Sequence, residues 1–272
     1  MEGAKGRRIL RGDLRKYLIV LPVGLLILGW LLSTPAGLLG KADAIGYAVC
    51  HRIDLRSFHL GNRQMPLCAR CTGMYLGAML GFIYQTVLGK RRTGMPPWRV
   101  ILVLGILAAA FGVDGLNSYL YLFLPAPLLY LPNNTLRLLT GTGMGIAMIL
   151  VLYPVFNQTV WKELDPRKPV SDLRSLMALL GLAVLLDFIV LQENPVILYP
   201  LALVSAAGVL VLLTMVYTMG WLMVLKKENR FEYVYELILP LIAGFGIGLL
   251  QIGFLDLLRY LLTGTWEGFH IG

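Results

Sequence analysis

Charged residues are scarce in this sequence, and so are cysteine and histidine. Only 14 % of its 272 residues are Asp, Glu, Lys or Arg, whereas an ordinary soluble domain has about 25 %. A soluble protein with so few polar residues could not cover its apolar surface. Three cysteines exclude a disulfide-dense scaffold. A Walker loop, a dinucleotide-binding glycine pattern and a zincin motif are all missing, so we expect neither nucleotide chemistry nor nucleic-acid binding.

Long apolar runs dominate the chain instead. The hydrophobic fraction is 57 % and the mean hydropathy is +0.72. A helix needs about 20 largely apolar residues to cross a bilayer. The sequence therefore predicts an all-α polytopic transmembrane helix bundle in the cell membrane, with seven spans at 17–32, 71–88, 100–122, 136–156, 176–191, 196–225 and 234–255.

The basic residues predict the orientation of these spans. If the N-terminus is cytoplasmic, the inner segments 1–16, 89–99, 157–175 and 226–233 contain 17 of the 24 Lys and Arg residues, in agreement with the positive-inside rule. The first apolar run follows a basic segment and precedes small residues, which also describes a cleavable signal peptide. Its apolar core is long for a signal, so we expect an uncleaved span and a single membrane domain over residues 1–272.

One outer segment, between the first two spans, contains all the cysteines. Cys50, Cys68 and Cys71 fall within 22 residues, and His51 and His59 lie among them. Three thiols and one imidazole suit a tetrahedral zinc ion, and a Cys-x-x-Cys pair can chelate it. Because adjacent side chains diverge on regular secondary structure, His59 is the favoured fourth ligand and His51 the other candidate.

Two other interpretations of the cysteines stay open. A Cys-x-x-Cys pair facing an oxidising compartment could exchange disulfides and pass electrons to a quinone. Arg70, between Cys68 and Cys71, would favour the thiolate form under either chemistry. A plain disulfide that fixes the loop is the third interpretation.

The same loop is rich in arginine. Arg52, Arg56, Arg63 and Arg70 lie on the side of the membrane that the positive-inside rule disfavours, and Asp54 offsets only one of them. Guanidinium groups bind phosphate or carboxylate through two hydrogen bonds, so we expect an anionic ligand or lipid headgroup. Simple contact with lipid phosphates at the interface would produce the same pattern.

Residue counting along the spans places further polar residues at this level. Asp114 lies about 21 Å along the third span, with Asn117 one turn further out, and Asn134, Arg137 and Thr140 enter the fourth span there. An ionisable residue inside a span is a functional hypothesis by default. Asp114 and Arg137 are therefore the predicted catalytic residues, although a structural ion pair between them would also explain their placement. The other three and the loop arginines are the predicted substrate-binding residues.

The sequence around the loop resembles a family of prokaryotic membrane proteins known as domain of unknown function 2085. The resemblance covers residues 46–150, followed by additional spans in 157–272. It implies no activity. Its most specific part is the Cys-x-x-Cys-Thr-Gly string, and the residues that carry it are Cys50-His51-Arg52, Arg56-Ser57-Phe58-His59, Pro66-Leu67-Cys68-Ala69-Arg70-Cys71-Thr72-Gly73, Asp114-Gly115 and 134–141.

Together these features predict a membrane protein with a zinc-type site at its outer face, beside a polar layer inside the membrane. One candidate function is a metal-dependent enzyme that acts on an anionic lipid or headgroup. The alternatives are a transporter or lipid-handling protein with a structural metal loop, and a thiol–disulfide redox protein. Membrane lipids are the expected partners.

Overall fold

The computed structural model describes residues 2–123 and 126–268, with side chains from residue 16 onward. Over these residues the chain forms eight α-helices, two 3-10 turns and one short β-hairpin. In chain order the helices are α1 (Glu2–Ser33), α2 (Gly37–Val49), α3 (Ala69–Leu88), α4 (Trp98–Leu120), α5 (Asn134–Val160), α6 (Leu173–Leu191), α7 (Pro195–Val224) and α8 (Ile238–Thr263). The 3-10 turns are Asp54–Arg56 and Val234–Leu237, and the hairpin strands are β1 (His59–Leu60) and β2 (Arg63–Gln64).

Seven helical segments of the described chain are long and apolar enough to cross a membrane, which confirms the predicted polytopic bundle. Most segment ends lie within a few residues of the predicted ends. The last segment starts at Val234 as predicted, with a 3-10 turn, and is longer than predicted because it continues to Thr263. The spanning part of α1 is Lys16–Ser33, and α1 packs at the edge of the bundle against α8.

Helices α3 and α5 form the centre of the bundle, and their backbones touch. A Cβ atom on Gly145 of α5 would lie 1.9 Å from the carbonyl oxygen of Met74, and one on Gly77 of α3 would lie 2.4 Å from that of Thr142. Small residues permit this close approach of membrane helices. The contact fixes the position of the first turn of α3 relative to the first turns of α5.

Helix α2 is an element that sequence analysis did not predict. Its 13 residues are too few to cross a bilayer, so a search for spans passes over it. Ala44 and Tyr47 of α2 are fully buried, and the helix packs on α7 and α8. With the hairpin, α2 covers the end of the bundle where α3 begins.

Candidate metal centre and arginine layer

The three cysteines meet at the beginning of α3. Cys50 ends α2, Cys68 is the N-cap of α3, and Cys71 lies in its first turn. The chain that leads to Cys68 crosses α2 at Gly46, where a Cβ atom would lie 1.9 Å from the carbonyl oxygen of Pro66. Because glycine has no Cβ, the two segments can touch, and the contact brings Cys50 beside Cys68.

The arrangement of the sulfur atoms suits a shared metal ion. The Sγ atoms of Cys50, Cys68 and Cys71 all lie within 4.8 Å of one another, and none of the three residues forms a disulfide. Thiolates about 2.3 Å from a tetrahedral zinc ion are about 3.8 Å apart, so a small contraction would be enough. The sulfur of Cys50 accepts hydrogen bonds from the backbone N–H groups of Cys68, at 3.3 Å, and Arg52, at 3.5 Å.

The electrostatics of the cluster favour a thiolate at Cys50. Hydrogen bonds from the thiols of Cys68 and Cys71 lower the pKa of Cys50 well below its usual value, although burial opposes this effect. The hydrogen bond to Cys50 in turn raises the pKa of Cys68 to about 12. Negative charge is therefore favoured at the Cys50 sulfur, which accepts from the backbone N–H of the α3 N-cap residue Cys68, close to the positive end of the helix dipole.

Neither predicted histidine ligand lies within this group of sulfur atoms in the described part of the chain. His59, the favoured fourth ligand, is paired with Gln64 in the hairpin, and its Nε2 lies 2.9 Å from a carboxylate oxygen of Asp54. The hairpin thus directs it towards the 3-10 turn instead of the thiols. His51 accepts a hydrogen bond at Nδ1 from the backbone N–H of Ile53, at 3.0 Å, which leaves Nε2 as its other ring nitrogen.

His51 is influenced electrostatically by both Cys50 and a group of arginines. Burial lowers the pKa of His51, and the negative charge of Cys50 opposes that shift. The positive charges of Arg56, Arg70 and Arg137 lower it further. Three guanidinium groups from three elements of the fold therefore act on this one imidazole, and Arg56, Arg70 and Arg137 together form the arginine layer.

The opposite wall of the cluster is apolar and comes from the end of the chain. Ala206 and Val209 of α7 and Ile252 of α8 are buried against Cys50 and Cys68. Arg259 of α8 holds the loop in place, because its guanidinium donates to the carbonyl oxygens of residues 47, 50 and 51 at 2.6, 2.7 and 3.3 Å. Sequence analysis missed Arg259, although a basic residue near the outer end of a span was a usable signal.

The loop arginines separate into two sets. Arg52 and Arg63 both bind Asp43 of α2, one on each carboxylate oxygen, and Arg52 also donates to the backbone oxygen of Trp266 at 3.2 Å. These contacts tie the loop to α2 and to the chain after α8. The two arginines therefore have structural partners within the protein.

Asp114 pairs with Arg70, so the ion pair suggested by sequence, between Asp114 and Arg137, is not the one that forms. The Nε atom of Arg70 lies 3.0 Å from Oδ2 of Asp114, and a second guanidinium nitrogen binds the same oxygen. The hydroxyl of Tyr130 donates to Oδ1 at 2.9 Å. Residue counting gives the depth of a side chain in the membrane but not its direction around the helix, and Arg70 faces α4 at the same depth.

Arg137 lies on α5, one turn before Gly141, and is therefore nearer the loop. Gly141 is the residue of α5 that touches the backbone of Arg70. It donates to Oδ1 of Asn134 at 2.9 Å, and the amide nitrogen of Asn134 reaches the carbonyl oxygens of the 3-10 turn region at 3.4 Å. Thr140 donates mainly to the backbone of its own helix, at 2.8 Å, and lies 3.4 Å from Asp114. These predicted residues do converge on one layer.

Asn117 fixes a loop. Both polar atoms of its side-chain amide bind the backbone of the α4–α5 connection. Nδ2 donates to the carbonyl oxygen of Tyr130 at 2.9 Å, and Oδ1 accepts from the N–H of Leu129 at 3.1 Å. Ser118 was not predicted, yet its backbone oxygen accepts from Arg56 and its hydroxyl from Arg70. No sequence signal distinguished Tyr130 or Ser118 from other residues of the connection and the helix.

Comparison with known proteins gives two archaeal relatives and one family. The chain is 28 % identical over 120 residues to an uncharacterized protein of Methanocaldococcus jannaschii, covering 44 % of this chain and 71 % of the relative. It is 31 % identical over 103 residues to an uncharacterized protein of Methanothermobacter thermautotrophicus, covering 38 % and 83 %. No solved structure matches the chain. The family model described as "Predicted membrane protein (DUF2085)" matches residues 50–151, which contain the three cysteines and the arginine layer, and the chain belongs to this family.

Proposed function

We propose that this membrane protein binds one zinc-type metal ion through Cys50, Cys68 and Cys71. The observation that carries the proposal is the convergence of three buried or half-buried thiols within 4.8 Å. Backbone N–H groups directed at the Cys50 sulfur support it, because such outer contacts orient metal ligands and stabilise their charge. The α3 N-terminus supports it as well, since it favours thiolates.

The number of ligands favours a catalytic ion over a purely structural one. Structural zinc normally has four protein ligands, whereas catalytic zinc has three and keeps a position for water or substrate. His51 is the side chain that could close the site, because it is adjacent to Cys50 and linked to it electrostatically. With that position open, an ion would act as a Lewis acid.

On this basis we propose a metal-dependent enzyme that acts on an anionic lipid or headgroup held by the arginine layer. In this enzyme Asp114 would not be the catalytic residue that the sequence predicted. Both of its carboxylate oxygens already accept hydrogen bonds, from Arg70 and Tyr130. We therefore assign it to positioning Arg70 and not to proton transfer.

Metal analysis of the purified full-length protein tests the metal site. We expect about one ion per chain in the wild type, and its loss in the Cys68→Ser variant. His59→Ala is the matched control and should keep its metal, because His59 binds Asp54. His51→Ala distinguishes an open site, which keeps its metal, from a closed one, which binds it more weakly.

A count of free thiols on the same samples distinguishes the metal site from the thiol–disulfide redox alternative. The three sulfur atoms are close enough for disulfide exchange after a small movement. One result would overturn the metal proposal and favour thiol–disulfide chemistry: wild-type protein that holds no metal and has two thiols in a disulfide, both of which return to the count after a reductant is added.

A further inference from the structure

Two arginines of the layer have hydrogen-bonding capacity that the protein leaves unused. Arg137 is only 6 % exposed, and its Nε atom has no hydrogen-bond partner among the described residues. Its described contact is with the neutral side chain of Asn134. Arg56 donates to one backbone oxygen, that of Ser118, at 3.3 Å. Over the described chain, neither arginine pairs with a carboxylate.

The layer also has an excess of positive charge. Arg56, Arg70 and Arg137 act on one another electrostatically, and among the described residues Asp114 is the single carboxylate that pairs with any of the three. Burial, followed by the charge of Arg70, lowers the pKa of Arg56. Unneutralised guanidinium groups in a poorly solvated place are costly, and a bound anion removes that cost.

We propose that Arg56 and Arg137 bind a terminal phosphate group, while the Arg70–Asp114 pair forms the fixed wall of the site. This inference rests on the proposed function, for which it names the class of substrate. It also separates the arginines, because Arg52 and Arg63 both already pair with the carboxylate of Asp43.

A phosphate fits this layer better than a carboxylate does. Three guanidiniums and one carboxylate leave two unmatched positive charges, and a phosphate monoester carries about −1.5 to −2 at neutral pH. Its three terminal oxygens can accept from two guanidinium groups that approach from different elements, the loop and α5, whereas a carboxylate offers two oxygens in one plane. Ala206, Val209 and Ile252 pack against Cys50 and Cys68, so the phosphate would lie on the side of the metal centre that these apolar residues leave free.

Binding of two phosphate probes to the purified full-length protein tests the proposal. Inorganic phosphate is titrated calorimetrically into protein in phosphatidylcholine nanodiscs. A second set of nanodiscs contains phosphatidic acid, and binding there is measured by the rise in melting temperature. We expect Arg56→Gln and Arg137→Gln each to weaken binding by about tenfold or more, since each removes charge-assisted hydrogen bonds. Arg63→Gln, a loop arginine paired with Asp43, is the matched control and should change binding by less than about twofold.

The two arms identify the source of the phosphate. Binding of inorganic phosphate alone assigns a soluble ligand, and binding of phosphatidic acid alone assigns a lipid; either result supports the inference if it depends on Arg56 and Arg137. If Arg137→Gln fails to fold, Arg56→Gln decides, because its described hydrogen bond is to one backbone oxygen. No binding in either arm, or an equal loss in Arg63→Gln, overturns the inference.

Metal content measured on the same samples keeps the two proposals separate. Phosphate binding by a protein without metal would contradict the proposed metal centre alone. A protein that holds metal but binds neither probe would contradict the phosphate site alone. Loss of metal in Arg137→Gln with unchanged phosphate binding would show that the arginine neutralises the thiolates, and it would also overturn the phosphate site.

Discussion

Asp114 is 1 % exposed inside the bundle, and its negative charge depends on two partners from other elements. Arg70 comes from α3 and Tyr130 from the connection after α4. Removing one member of a buried ion pair leaves the other charged and poorly solvated, which costs about 3–5 kcal/mol. At the scale of single residues, this pair is therefore the strongest electrostatic link between α3 and α4.

A double-mutant cycle tests the identity of the pair. We expect Asp114→Leu and Arg70→Leu each to lower the free energy of unfolding in detergent by about 3–5 kcal/mol, and the double variant to lose less than the sum of the two. The matched cycle pairs Asp114→Leu with Arg137→Leu, whose effects should be closer to additive. Coupling to Arg137 equal to the coupling to Arg70 would contradict the observed pairing.

Sequence analysis predicted the depth of these side chains but not their pairing. Asp114, Arg137 and Thr140 do share one layer, because a helix rises by a fixed amount per residue. Which guanidinium reaches the carboxylate depends on how α3, α4 and α5 are rotated about their axes. That rotation follows from side-chain packing between helices, which no local pattern in the sequence reports.

At the scale of helices, the contact between α3 and α5 is the most sensitive to a change in volume. We expect Gly145→Ala to destabilise the protein by about 1–3 kcal/mol or to prevent folding, because its Cβ would lie 1.9 Å from the carbonyl oxygen of Met74. Gly105→Ala on α4 is the matched control, since nothing lies within 4 Å of that position. Its melting temperature in detergent should equal or exceed that of the wild type, because alanine favours helix. Equal stability of both variants would show that the helices are further apart.

Helix α2 shows where prediction from sequence ended. The seven spans follow from apolar length alone, and the structure confirms them. Gly73, Gly77 and Gly81 of α3 and Gly141 and Gly145 of α5 repeat every four residues in the sequence, a pattern typical of close helix packing in membranes. By contrast, α2 and the hairpin are short. The position of α2 depends on its contacts with α7 and α8, and that of the hairpin on the bond from Arg63 to Asp43 of α2. Proximity of the three thiols could be predicted from spacing, but the placement of His59 away from them could not.

At the scale of the whole molecule, the distribution of basic residues predicts how the spans are oriented across the membrane. We expect a membrane-impermeant thiol reagent to label Leu55→Cys in intact cells, because Leu55 is 77 % exposed on the loop that should face outward. Lys227→Cys, exposed between α7 and the last span, should react only after lysis. Wild-type protein gives the background from the native cysteines. Labelling of Lys227→Cys alone in intact cells would reverse the orientation.

The spans outside the family match also contribute to the candidate site. Residues 50–151 contain the thiols and the arginine layer, whereas α7, α8 and Arg259 supply the apolar wall and hold the backbone around Cys50. The chemistry proposed here thus lies in the matched region, and its enclosure comes from helices that follow it.

The backbone contact between α3 and α5 has a consequence for ligand selection. At Gly73, Gly77, Gly141 and Gly145 the two backbones touch directly, so no flexible side chain lies between them at these points that could repack and let the helices slide. The thiols at the start of α3 and Arg137 near the start of α5 therefore keep a constant separation. A molecule that touches both must match that separation, so the protein would discriminate between ligands of equal charge by their length.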